Sequence, residues 1–94
     1  MALWDRFPVS KGHTLVLPKR HVASIYDLQQ GEQAVMRQLV ADVRERLQDQ
    51  FAPDGFNIDV NDGEAAGQTM AHARIHIIPR YEGDVDDPRG RRPK

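Results

Sequence analysis

Apolar and polar residues alternate along Phe56-Asn57-Ile58-Asp59-Val60-Asn61, the pattern of a strand with one buried face. Pro53-Asp54-Gly55 just ahead of it marks a turn. His13-Thr14-Leu15-Val16-Leu17 is β-rich and closes at Pro18. His72-Ala73-Arg74-Ile75-His76-Ile77-Ile78 alternates again and closes at Pro79, and a short run from Ala2 to Asp5 ends before Pro8. A different period appears in mid-chain. Met36, Leu39, Val40, Val43 and Leu47 recur at spacings of three and four, which predicts one long helix from about Gln29 to Phe51. Asp27 is placed to cap it, with Gln30 as the second half of a capping box. Gly31 weakens its first turn by roughly 1 kcal/mol relative to alanine. Arg37, Arg44, Glu45 and Gln48 fall on the opposite face and read as solvated. A shorter helical turn fits Ala23–Leu28. Four strands and one long helix between strand pairs predict an α+β fold: a small antiparallel sheet with the helix packed on one face.

The chain has 94 residues, enough for one small domain. Residues 1–79 read as the folded unit, and residues 80–94 read as a polar tail whose large apolar side chains are Tyr81 and Val85. A domain of this size buries a little over ~60% of the surface its unfolded chain exposes. It carries no cysteine, so neither a disulfide framework nor a thiolate zinc site is available. Extra core is then expected from a second copy, as a homodimer. The absence of cysteine fits a reducing, cytoplasmic setting. A net charge of −1 argues against a bulk nucleic-acid binder. No apolar run reaches the ~18–20 residues of a membrane span, and Asp5, Arg6 and Lys11 interrupt any signal-peptide core.

The chemistry concentrates near the last strand. If it is extended from residue 72, His72, Arg74 and His76 share one face, with neighbours roughly 6.6 Å apart at ~3.3 Å rise per residue. A ladder of two imidazoles and a guanidinium suits an extended anion such as a phosphate chain. The plain alternative is a solvated row of polar side chains. A metal held by His72 and His76 is disfavoured, because in a strand they stand about 13 Å apart at the backbone and metal–nitrogen bonds are only ~2.0–2.1 Å. The loop Asn61-Asp62-Gly63-Glu64-Ala65-Ala66-Gly67-Gln68-Thr69 precedes this strand. Gly63 and Gly67 permit close backbone approach, and Asn61, Gln68 and Thr69 offer donors. Beside the ladder, the loop reads as a phosphate cradle.

Two blocks carry a family resemblance. Gly67-Gln68-Thr69-Met70-Ala71-His72-Ala73-Arg74-Ile75-His76-Ile77-Ile78-Pro79-Arg80 resembles the signature of the histidine triad (HIT) family, and Gly12-His13-Thr14-Leu15-Val16-Leu17-Pro18-Lys19-Arg20-His21 resembles its second block. The resemblance implies an antiparallel sheet with a long helix, a homodimer, and binding of purine nucleotides. It implies cleavage at the α-phosphorus of dinucleoside polyphosphates or nucleoside phosphoramidates. By resemblance Asp5 holds the ribose hydroxyls, and Asn61, Gly67, Gln68 and Thr69 lie at the phosphates or the leaving group. His13 matches an additional histidine beside the triad, and His72 and His76 match its first and third members. No cofactor is required, although a polyphosphate usually arrives with magnesium.

Arg74 departs from the pattern. It occupies the middle triad position, where the family carries a nucleophilic histidine that forms a nucleotidyl intermediate. Covalent attack needs a lone pair, and a guanidinium has five donors and no acceptor. Three outcomes stay open: nucleotide binding without turnover, as a sensor or sequestering module; slow hydrolysis with His72 or His76 as base and Arg74 neutralising charge; or a degenerate fragment. The last is kept because family chains carry a strand pair ahead of the one holding Asp5, and because the ending Pro88-Arg89-Gly90-Arg91-Arg92-Pro93 also departs from the family's. Trp4 and Phe7 read as core before they read as a base pocket. His21 reads as a surface residue, and Lys19 and Arg20 are secondary candidates for a phosphate tail.

Overall fold

A computed structural model describes residues 1–6 and 8–84. The strands are β1 (Ala2–Trp4), β2 (Thr14–Val16), β3 (Gly55–Asp59) and β4 (Ile75–Arg80), with helix α1 (Gln30–Phe51) between β2 and β3. They form one antiparallel sheet in the order β1-β2-β4-β3. This is the α+β architecture expected from the periodicities.

The apolar stripe of α1 builds the core. Met36, Val43 and Leu47 are buried against Val16, Leu28 and Ile77, with Leu39, Val40, Phe56 and Ile75 packed around them. Thr14 stands opposite Ile77 and Val16 opposite Ile75. Because side chains alternate faces along a strand, Leu15 and His76, which also stand opposite each other, share the face away from the helix. Leu3, paired with Leu15, lies on that face too. On the solvent face of α1, Arg37, Arg44, Glu45 and Gln48 are exposed. Arg44 lies 4.9 Å above the Phe56 ring, so its stem covers part of the sheet.

The helix starts differently from expectation. Asp27 does not cap α1. It closes a short 3-10 turn, Ile25–Asp27, in a capping box with Ser24. The N-cap of α1 is Gln29, whose backbone N–H donates to Glu32 at 3.0 Å. Leu28 is the reason for the break: its extended backbone separates the turn from the helix and its side chain is buried in the core. Arg20 is also committed here. Its Nε and Nη2 donate to the Glu32 carboxylate at 3.1 and 2.9 Å, and Nη2 donates to the Asp27 carbonyl. It is therefore a latch at the helix start rather than a phosphate contact.

The Arg20 hydrogen bond, followed by the Gln29 amide, holds the Glu32 carboxyl below its ordinary value of 4.5. A depressed folded value means the pair stabilises the fold above the ordinary carboxylate range and stops doing so as pH falls through the lowered value. The pair is exposed, so the contribution is small. NMR titration of wild type and Arg20→Gln checks this: the Glu32 midpoint is expected to move upward in the variant. An unchanged midpoint would contradict the assignment.

β4 runs two residues past its expected end, through Pro79 and Arg80. Proline tolerates this position because the Arg80 carbonyl accepts from Asp54 N–H on the β3 side. The missing N–H of Pro79 therefore points to the other side, where β2 has already stopped at its pair with Ile77. Arg80 is buried and makes a two-pronged ion pair with Asp84, which raises the guanidinium's affinity for its proton. Gly12 has φ +91, and a Cβ there would sit 2.9 Å from the Phe51 ring and 3.1 Å from Pro79. Only glycine lets the chain pass under the end of α1 and enter β2 at Thr14. Among the described residues, no helix is long and apolar enough to cross a membrane.

Candidate functional site

β4 begins at Ile75, so His72 and Arg74 precede it and the three-rung ladder on one strand does not form. Pairing ends there because β2 gives way to Leu17 and Pro18, and proline has no N–H for a ladder. The segment is held by other means: Ala73 N–H donates to the Val22 carbonyl at 2.7 Å. His72 turns aside. Its Nε2 lies 3.1 Å from the Pro18 carbonyl, and its ring stacks on His21 at 4.5 Å. A carbonyl only accepts, so the His72 hydrogen sits on Nε2 and is committed to the backbone.

Arg74 and His76 do meet in one place. Together with Asp5, Asn61, Gly67, Gln68 and Thr69 they line an open cleft of ≈1210 Å³ beside β1. That is room enough for a nucleotide-sized ligand. Seven of the nine residues singled out from the sequence are therefore brought together; His72 and His13 do not line the cleft. Arg74 is half-buried, and its Nε donates to the His72 carbonyl at 3.1 Å. That bond orients the side chain, and Arg74 lines the cleft.

His13 lies beneath, 2% exposed. The Val9 N–H donates to its Nδ1 at 3.1 Å. Its Nε2 is 3.0 Å from His76 Nδ1 and 3.2 Å from a carboxylate oxygen of Asp5. The ligand atoms of Asp5, His13 and His76 all lie within 4.8 Å of one another, close enough for one metal ion. The Val9 bond opposes such use. It occupies the Nδ1 lone pair, leaving the hydrogen on the nitrogen that would have to coordinate.

The loop before β4 is closed by its own glutamine. Gln68 accepts from Gly63 N–H and donates to the Ala23 and Met70 carbonyls, each at 2.8 Å. Its side-chain amide is thus spent on shaping the loop. Gly63 and Gly67, at φ +99 and +93, let the loop fold back as a short turn. Asn61 packs against Gly67.

Trp4, expected in the core, is 61% exposed and joins the cleft lining. β1 is an edge strand with no neighbour beyond it among the described residues, and the indole makes an edge contact to Phe51. Phe7 lies outside the described residues. The sequence reading missed Arg46 and Gln50 of α1, which also line the cleft. Their helical positions flank Val43 and Leu47, a signal that was legible but ambiguous with a solvated face. It also missed Val9, whose backbone amide no side-chain motif can announce.

The HIT domain family matches residues 1–83. The Protein hit of Bacillus subtilis is 40% identical over 85 residues, covering 89% of this chain and 59% of that protein. A bis(5'-adenosyl)-triphosphatase of Dictyostelium discoideum is 37% identical over 86 residues, covering 92% of this chain and 58% of that protein. A crystal structure of a HIT family member from Bacillus subtilis superposes with a TM-score of 0.84 at 38% identity, covering 88% of this chain and 59% of that one. The chain thus spans less than two thirds of the length of these relatives.

Proposed function

Because the chain belongs to the HIT domain family, we propose that its cleft binds a purine nucleotide or dinucleoside polyphosphate and turns it over weakly, without a covalent nucleotidyl intermediate. The observation that carries this reading is Arg74 in the cleft wall beside His76. A guanidinium offers a planar fork for phosphate oxygens and has no lone pair with which to attack phosphorus. Asp5 would take the ribose hydroxyls, and Asn61, Thr69 and the Gly67 backbone would take the phosphate oxygens. Gln68 is reassigned from ligand contact to loop closure, since its amide already has three partners. His76 would donate a hydrogen bond to the leaving group, and Arg74 would neutralise charge in the transition state. No metal is needed by this chemistry; magnesium would enter with a polyphosphate.

A non-catalytic binding or sensor module is the second reading. It is favoured by His72, whose ring is tied to Pro18 and stacked on His21 rather than facing the cleft. A homodimer belongs to either version. Ile58, Tyr26 and Val35 are exposed apolar side chains, and a groove lined by Tyr26, Met36, Val40 and Ile58 runs between β3 and α1. That surface supports a second copy. A cytoplasmic setting rests on the lack of cysteine.

Calorimetry with diadenosine polyphosphates and an adenosine phosphoramidate, run beside a turnover assay, tests the proposal. Micromolar binding with slow turnover is expected, and binding without turnover selects the module. Arg74→Ala is expected to weaken binding roughly tenfold to a hundredfold, the worth of a hydrogen-bonded charge at ~1.5–3 kcal/mol. Wild-type affinity in that variant would remove Arg74 from the ligand.

A further inference from the structure

His13 is the one candidate from the sequence that is buried out of reach of the cleft, yet it touches two residues that line it. Its proton arrangement is determined by a backbone group. Val9 N–H donates to His13 Nδ1 at 3.1 Å, and an N–H donor can meet only a nitrogen that carries a lone pair. The hydrogen of the neutral ring is then on Nε2. Two acceptors face that hydrogen: Asp5 Oδ2 at 3.2 Å and His76 Nδ1 at 3.0 Å. His76 Nδ1 cannot also carry a hydrogen, because two N–H groups would then point at each other across 3.0 Å. The ring centroids are 5.3 Å apart and tilted by 52°, an in-plane approach rather than a stack.

We propose that His13 is a positioning residue that sets the tautomer of His76: the Val9 amide puts the His13 hydrogen on Nε2, and that hydrogen holds His76 as the neutral Nε2–H form. The balance is simple. No bond between heavy atoms changes; one hydrogen stays on His13 Nε2 and one on His76 Nε2. His76 is thereby a hydrogen-bond donor at Nε2 in its resting state and has no lone pair on Nε2 with which to deprotonate water. Its expected alternative role, as general base, is removed. Asp5 shares the His13 hydrogen, so its carboxylate is oriented by the same ring. The consequence for phosphate chemistry rests on the nucleotide reading above; the tautomer itself does not.

The test is made on the full chain without nucleotide, so that it stands or falls apart from ligand binding. Long-range proton–nitrogen correlation spectra of uniformly nitrogen-labelled protein distinguish the two imidazole tautomers. In wild type near neutral pH, His76 is expected as Nε2–H with an unprotonated Nδ1 that accepts from His13. In His13→Leu it is expected to change to a mixture or to Nδ1–H directed at Asp5. In His13→Gln, whose amide reaches about as far as the imidazole and keeps an N–H donor, the wild-type tautomer is expected to return. A wild-type His76 found as Nδ1–H overturns the proposal, and so does an unchanged His76 in a folded His13→Leu protein. If His13→Leu does not fold, the wild-type and His13→Gln spectra still decide the matter.

Discussion

Arg74→His is expected to raise turnover of a diadenosine polyphosphate by on the order of a hundredfold or more, taking the lower end of what one positioned proton-transfer group contributes as a floor. It is also expected to leave a nucleotidyl adduct on the protein after acid quench. The local geometry supports the exchange. Arg74 Nε already donates to the His72 carbonyl at 3.1 Å, and an imidazole Nδ1–H could make a similar bond. That would leave the lone pair on Nε2, the atom that covalent catalysis requires. His76 alongside in the same cleft would then serve as a hydrogen-bond donor to the leaving group. A folded Arg74→His protein that binds nucleotide but shows neither gain nor adduct would place the defect elsewhere in the cleft and end the argument that position 74 alone holds back the chemistry.

Ile77→Ala carries the largest expected loss of stability. Ile77 is 0% exposed and sits in the core cluster with Val16, Leu28, Met36, Val43 and Leu47. Truncating such a side chain costs about 2–5 kcal/mol through lost burial and the cavity left behind. A domain of this size has only about 5–14 kcal/mol in all. Thermal unfolding is expected to drop by roughly 8–40 °C, at about 4–8 °C per kcal/mol. Ile77→Val, which removes one methyl, is expected to cost ~0.5–1.5 kcal/mol. Equal melting temperatures for the two variants would mean that Ile77 does not bridge sheet and helix as described.

The elements themselves were legible because each has a periodicity of its own. The three-and-four spacing of Met36, Leu39, Val40, Val43 and Leu47 could serve only a helix with one buried side, and the alternation at Phe56–Asp59 marked the strand, although Ile58 at one of its apolar positions is exposed. The ends were less legible. Alternation continues unbroken from His72 to Ile77, but whether a residue joins the ladder depends on a partner. That partner, β2, is terminated by Pro18 far away in sequence. Pro79 was misjudged for the same reason. A proline closes a strand only if its missing N–H faces a neighbour, and here it faces the side where β2 has already ended. Asp27 was expected to cap α1, but the burial of Leu28 ends the first turn there and passes the cap to Gln29.

The sequence by itself determined the fold class, the family and the arginine, a side chain with no lone pair for attack, at position 74. These follow from residue type and spacing, which no rearrangement of the chain alters. Only the tertiary structure decided which of the marked residues act together. It turned His72 onto Pro18 and His21, spent the Gln68 amide on its own loop, and buried His13 between Asp5 and His76 with its hydrogen directed by the Val9 amide. Those outcomes depend on distances of about 3 Å between groups remote in sequence, and hydrogen bonds of that kind exist only once the sheet has brought its strands together.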